Sequence, residues 1–449
     1  VLGAQLLIVV LGVIRSLILP AFFEVESYGY WQIYVFYSAY VGLFALGFND
    51  GIYLRYGDYN YDELPFEKLR SATRIHISML IFFSLICVFF LYLFCDDKSL
   101  RFALMFSSFN ILILGLSSVL TFVMQITNQI KRFSFFSVLD KILVLITILV
   151  MFFINNDNYK IIVIIDVFSK IIVLFFMMIL LKEFFIGKTG GYIIALKEFR
   201  LNINIGLKLM IANLMGMLIT GIGRITVQFF GDIEDFASYS FGTSITNIIL
   251  LGITAFSLVL YPALKRLSTV NYKKYFVKIN NVVTIFNMVS LLIYFPASYL
   301  IQLFFLKYID VLEYLNLFFV ITILLSKMNI LNNTFYKVLR KEKEMLRANL
   351  SCVLVFCFCV ILFFGLFRSV WSIAFSTMIA MLFRVFSSEI YLNNQLKNKL
   401  DRKLFYEVIL LLVFIVVTSF FNLLIAFIIY LVLLCFYLYF FKNNLRKLI

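Results

Sequence analysis

Two arginines stand inside apolar stretches, where a charge is costly. Arg15 lies in GVIRSLILPAFFEVES (Gly12 to Ser27) and Arg224 in GIGRITVQFFGDIEDF (Gly221 to Phe236). A guanidinium in hydrocarbon costs roughly 3 kcal/mol on insertion scales unless it meets protein, water or a counter-ion. Each side chain therefore either snorkels to the headgroups or lines a cavity and holds a phosphate through two parallel hydrogen bonds. Both segments read Gly-x-x-Arg, then a Phe-Phe pair, then acid-x-acid. The glycine-to-arginine spacing is the same in both, although the Phe pair shifts by two residues. This pattern predicts an internal parallel repeat, with each match on the first helix of one half and a cavity between the halves. Gly12, Gly221 and Gly223 allow close helix approach beside the arginines.

Other charges fall within or beside apolar runs. Asp166 and Lys170 are spaced i, i+4, which places them on one helix face as a self-neutralising pair. Asp140 and Lys141 open another apolar segment. Lys327 and Arg384 approach helix ends and are expected to snorkel, with Arg384 deep enough to pair with Glu389. Counted together, Arg15, Lys141, Lys170, Arg224, Lys327 and Arg384 outweigh Asp140, Asp166, Glu313 and Glu389, a balance that suits an anionic substrate. His76 is the sole histidine and reads as an interfacial side chain, with proton coupling as the alternative because imidazole titrates near neutrality. The candidate anion-binding set is Arg15, Arg224, Lys170 and Arg384. The candidate coupling set is Asp166, His76 and Glu389.

Catalytic signatures are missing. There is no Walker motif, no paired catalytic carboxylates in an outer loop and no metal-ligand spacing, so neither a cofactor nor an enzyme activity is expected. Cys87, Cys95, Cys352, Cys357, Cys359 and Cys435 lie in or beside apolar runs without a CxxC pair and read as packing residues. The glycosylation-like triplets at Asn332 and Asn349 fall on the basic side of the membrane and read as chance.

These residues must be positioned by membrane-spanning helices. Of 449 residues 63% are hydrophobic and only 14% charged, and the mean hydropathy is +1.02. Soluble chains run near 45–50% apolar and about 25% charged, so a water-soluble fold is excluded. The net charge of +15 does not indicate nucleic acid, because the Lys and Arg cluster in short loops between apolar segments. Windows of about 20 residues mark spans near 2–19, 30–48, 75–94, 102–124, 135–154 and 161–181. After a polar connection follow spans near 207–229, 239–260, 282–300, 311–331, 350–367 and 370–391. The stretch 405–441, interrupted at Asn422, is too long for one span and reads as a hairpin, giving about fourteen helices. The expected organisation is an N-terminal lobe (1–181), a cytoplasmic linker (182–206), a C-terminal lobe (207–391) and a final helix pair (405–441).

Loop charge orients the chain. One side carries most of the basic residues, among them Arg55, Lys68, Arg70, Lys188, Lys197, Arg266, Lys341, Lys399, Arg402, Lys442, Arg446 and Lys447. The other has Lys98, Arg101, Lys160, Lys307 and Arg368. The positive-inside rule places both termini and the basic loops in the cytoplasm, in a bacterial inner membrane. Tyr28, Tyr30, Trp31 and Trp371 then read as interfacial aromatics at outer ends of spans. No cleavable signal peptide is expected, since the first apolar run leads into Pro20 and an acidic loop. The outer loops are very short and cannot house a catalytic domain.

The pattern resembles the polysaccharide (O-antigen type) flippases of the multidrug/oligosaccharidyl-lipid/polysaccharide exporter superfamily. The resemblance spans essentially the whole chain. It rests on twelve plus two helices, on RSLILPAFFEVESYGYWQIY at the start, on LGFNDGIYLRYG (Leu46 to Gly57) and on YPALKRL (Tyr261 to Leu267). It implies two six-helix lobes alternating between inward-open and outward-open states, with a cationic cavity for a polyprenyl-linked pyrophosphate and its sugars. Membrane lipids, a polysaccharide polymerase and a chain-length regulator are the implied partners. The rivals are the drug/cation antiporters and the peptidoglycan lipid flippases of the same superfamily, and a non-transporting scaffold. An antiporter relies on acidic residues in its lobes, whereas the first helix here offers Arg15 and no carboxylate.

Overall fold

The computed structural model describes residues 2–57, 59–154, 156–265, 272–398 and 403–440, and the described chain is all-helical. It divides into two compact units, Val1–Met217 and Leu218–Ile449. Among the described residues nine segments are long and apolar enough to cross a membrane, and a bent helix pair makes ten; Leu7–Phe22, Phe405–Phe420 and Leu423–Tyr439 are shorter apolar helices. Arg266, Lys399, Arg402, Lys442, Arg446 and Lys447, together with Leu267 of the YPALKRL segment, lie outside the described residues.

The first unit holds α1 (Leu2–Phe22), α2 (Val25–Tyr40), α3 (Phe48–Arg55), α4 (Phe66–Phe94), α5 (Lys98–Ile126), α6 (Ile130–Phe153), α7 (Tyr159–Leu180) and the start of α8 (Tyr192–Phe230). The second span of the sequence reading is broken: α2 and α3 meet at 62°. Leu46 and Gly47 turn there through left-handed backbone, at φ 47° and 80°, a conformation glycine adopts without steric cost. The turn presses α3 against α8. A Cβ on Gly51 would sit 2.0 Å from the Asn202 carbonyl oxygen, and one on Gly206 would sit 1.9 Å from that of Gly47. Beside this backbone contact Arg55 pairs with Glu198 and donates to Asn202 Oδ1 at 2.7 Å, while Tyr56 donates to Glu198 Oε1 at 2.7 Å. LGFNDGIYLRYG is therefore the joint that fastens α3 to α8.

The polar connection 182–206 largely becomes the N-terminal part of α8, which runs unbroken from Tyr192 to Phe230. Its interior lacks proline, so nothing interrupts its hydrogen-bond ladder. Tyr28, Tyr30 and Trp31 are buried rather than interfacial. Tyr30 stacks on Tyr159 at 5.3 Å and donates to Asp97 Oδ2 at 2.9 Å, so its ring is held by partners within the unit. Asp97 caps α5 by accepting from the backbone N–H groups of Ser99 and Leu100. Partial burial works against its charge, but the Tyr30 hydroxyl and the two cap hydrogen bonds hold its carboxyl below the usual range.

The second unit contains the rest of α8, α9 (Ile233–Lys265), α10 (Tyr272–Ser290), α11 (Tyr294–Phe304), α12 (Leu312–Lys327), α13 (Asn333–Val338), α14 (Glu342–Phe367), α15 (Val370–Gln395), α16 (Lys403–Phe420) and α17 (Leu423–Phe440). Every residue of α12 from Tyr314 to Lys327 is buried, as expected of a helix apolar all round. One π turn, Met328–Asn332, joins it to α13. The final pair, α16 and α17, docks through aromatic rings: Phe414 lies 5.4 Å from Tyr294 and 5.2 Å from Tyr430. Tyr430 also donates to the Met288 carbonyl at 2.8 Å.

Candidate functional site

In the first unit the intramembrane charges gather around Tyr34. Asp166 and Lys170 pair along α7, and Tyr34 of α2 donates to Asp166 Oδ2. The Lys170 ammonium lies 3.0 Å from the Tyr34 hydroxyl and 5.1 Å from its ring centroid. Asn110 of α5 donates to Tyr34 Oη at 2.9 Å and to Ser38 Oγ at 2.8 Å. A buried carboxylate is thus surrounded by an ammonium and a hydroxyl, the arrangement that makes burial tolerable.

Arg15 on α1 is half-buried and lies within electrostatic reach of Asp166. Among the described residues it forms no hydrogen bond and no ion pair, so its five donors are uncommitted within the protein. Asp140 pairs with Lys141 at 2.7 Å and lies within electrostatic reach of Tyr34. Arg15, Lys141 and Lys170 therefore exceed Asp140 and Asp166 by one positive charge in this part of the unit.

Arg224, in the second unit, has a different environment. Its Nε donates to Thr243 Oγ1 at 3.0 Å, its Nη2 reaches the same oxygen, and Tyr239 lies within electrostatic reach. The glycine before it is needed: a Cβ at 223 would stand 2.2 Å from the Tyr239 hydroxyl. Arg15 and Arg224 thus belong to separate units and have unlike partners, despite their matching Gly-x-x-Arg segments.

Three expectations are corrected. Lys327 and Arg384 do not snorkel, since each is only 3% exposed. Arg384 does not pair with Glu389 but donates from Nε to Asn349 Oδ1 at 3.0 Å. Five residues turn a helix by about 140° beyond one full turn, which sends the two side chains to different faces. Glu389 instead faces Lys327 at 2.8 Å, and Lys327 also holds Glu407 at 2.6 Å. His76 is fully buried rather than interfacial: its ring stacks on Phe48 at 4.3 Å, and neither nitrogen has a hydrogen-bond partner among the described residues.

Sequence reasoning missed Tyr34, Asn110, Asn280, Thr284 and Glu407 as members of these clusters. Glu407 carried a signal, a carboxylate close to the start of a long apolar run. The tyrosine and the amides carried none in a chain with 26 Tyr and dispersed Asn.

Comparison with solved structures defines the fold. The chain superposes on a structure titled "Lipid II flippase MurJ, inward closed conformation" with a TM-score of 0.70 at 15% identity, over 99% of each chain. It superposes on an inward-facing multidrug resistance MATE family transporter of the MOP superfamily with a TM-score of 0.57 at 14% identity, over 88% of this chain and 96% of that one. A third match is a ligand complex of the MATE multidrug transporter DinF-BH, at a TM-score of 0.55 and 15% identity, over 90% and 94%. The fold is that of the MOP transporters, in a multi-pass membrane protein. Residues 1–268 match the profile of the polysaccharide biosynthesis protein family, and the chain belongs to that family. No curated protein matches it by sequence.

Proposed function

We propose that the protein is a flippase that carries polyprenyl-pyrophosphate-linked oligosaccharide units across the bacterial inner membrane by alternating access, for O-antigen, capsule or a related surface polysaccharide. The observation that carries this reading is Arg15: a half-buried guanidinium on an apolar helix, with uncommitted donors, in a region whose charge sum is positive. A phosphate satisfies such a group with two parallel hydrogen bonds. Turning over a lipid-linked glycan requires a hydrated, anionic headgroup to cross about 30 Å of hydrocarbon while its tail stays in lipid. Membership of a polysaccharide biosynthesis family supports a glycan substrate.

In this reading Arg15 and Arg224 are the main phosphate ligands and Lys170 and Arg384 lesser ones, while Asp166, Glu389 and His76 are the candidates for coupling. The burial of His76 among aromatic rings without a partner weakens its case, because an imidazolium there would lack an acceptor. Lipid partners follow from the substrate, and a polymerase and chain-length regulator are the expected neighbours in the pathway. The test is deletion of the gene in its host followed by mass spectrometry of membrane lipids. Accumulation of complete lipid-linked oligosaccharide with loss of surface glycan supports the reading. Unchanged glycan with increased sensitivity to cationic drugs favours the antiporter instead.

A further inference from the structure

The substrate reading takes Glu389 of the second unit as a coupling candidate and gives its neighbours Lys327 and Glu407 no role. Lys327 of α12 lies 2.8 Å from Glu389 Oε2 on α15 and 2.6 Å from Glu407 Oε2 on α16. Two side chains of α10 complete the group: Asn280 Nδ2 donates to Glu389 Oε1 at 2.6 Å, and the Thr284 hydroxyl contacts Glu407 Oε1. All three charged residues are buried, at 3%, 3% and 6% exposure. One ammonium faces two carboxyl groups, so full ionisation would leave one uncompensated negative charge in the dry interior, a state that proteins avoid by taking up a proton.

The surrounding elements supply no second cation. Among the described residues Glu407 has only Lys327 and Glu389 as charged neighbours. Arg384 of α15 is turned to Asn349, and Lys273, Lys274 and Lys278 of α10 are exposed. Tyr430 of α17 is committed to the Met288 carbonyl, and Tyr336 of α13 lies against Tyr391. The two carboxyls have different partners: Lys327 Nζ donates to Glu407 Oε2 at 2.6 Å, whereas Glu389 Oε2 accepts no hydrogen bond among the described residues. Glu389 receives an amide N–H, which can only donate and so suits an ionised acceptor. Glu407 meets a hydroxyl, which accepts as readily as it donates.

We propose that the Lys327–Glu389–Glu407 triad is a site for a single proton shared between its two carboxyls, and that this proton fastens α16 to the rest of its unit. With one carboxyl protonated and the other ionised beside Lys327, the triad is neutral. Loss of the proton leaves two carboxylates facing one ammonium, and the α16 contact loosens. The π turn that begins at Met328 directly follows the lysine. Such turns are frequent at functional sites.

The test uses the purified full-length chain in detergent. Infrared spectra and thermal unfolding are compared among the parent, Glu407→Gln and Glu389→Gln. The proposal expects a protonated-carboxyl stretch in the parent that disappears in Glu407→Gln, whose amide mimics the neutral acid. It also expects Glu407→Gln to keep the parental Tm and to remove its fall at high pH; in Glu389→Gln the remaining carboxyl of Glu407 ionises to pair with Lys327, so the stretch and the high-pH fall disappear there too. A carboxyl stretch unchanged in Glu407→Gln overturns the assignment even if Glu389→Gln fails to fold. A fall in Tm at high pH that persists in Glu407→Gln would overturn it as well.

Discussion

The Lys170 ammonium stands 3.0 Å from the Tyr34 hydroxyl while paired with Asp166, so one lysine ties α7 to α2 across the interior of the first unit. Removing either partner leaves an uncompensated group in a buried place. Asp166→Asn is expected to destabilise by about 3–5 kcal/mol, the cost of breaking a buried pair, and Tyr34→Phe by about 1–3 kcal/mol, the cost of one unsatisfied partner. Thermal unfolding of the detergent-solubilised protein measures both. Equal, small effects would mean that water reaches the cluster.

The α3–α8 joint depends on the absence of a side chain. A Cβ on Gly51 would overlap backbone, which cannot rotate away, so Gly51→Ala is expected to cost about 1–3 kcal/mol or more. Gly42→Ala is the control, since a Cβ there meets nothing within 4 Å. Size-exclusion profiles after graded heating report the difference. Identical profiles would show that α3 is not clamped on α8.

Asp97 gives the folded protein a pH dependence. Its carboxyl is held below the usual range in the folded state, so its contribution is present above the unfolded value and disappears as pH falls through the lower folded one. Loss of stability on acidification below about pH 4 should therefore be smaller in Asp97→Asn, which keeps a side-chain oxygen for the cap but carries no charge. A melting series from about pH 6 to about pH 3 spans that window. Parallel curves for the two proteins would exclude the Asp97 contribution.

The helices were legible because hydropathy reports them directly, and the Asp166–Lys170 pair because i, i+4 spacing fixes a shared face. The break between α2 and α3 was hidden inside one continuous apolar run, where Gly47 alone hints at a left-handed turn. The Lys327–Glu389–Glu407 triad was legible only as separate charges, not as a cluster. Its members are far apart in sequence and meet only because α12 is enclosed by α10, α15 and α16. Aromatic residues near span ends misled for a related reason: Tyr30 and Trp31 look interfacial by position, but partners in α5 and α7 and the packing of the unit draw them inside.

The distribution of basic residues predicts cytoplasmic termini. Reporter fusions to each end check this, with a cytoplasm-active reporter expected to function at both. A C-terminal fusion active only in the periplasm would reverse the orientation and the side from which substrate is loaded.

The most direct test of the central claim is surface-glycan delivery by arginine variants in the host lacking the gene, with membrane levels of each variant checked by immunoblot. Each charge-assisted hydrogen bond contributes roughly 1.5–3 kcal/mol, or about tenfold or more in affinity. Arg15→Lys should retain part of the activity, because an ammonium keeps the charge but not the planar fork, and Arg15→Ala much less. The Arg15→Ala, Arg224→Ala double variant should deliver almost no glycan and should accumulate lipid-linked oligosaccharide. Full export by a stably expressed double variant would contradict the claim that these arginines hold the pyrophosphate.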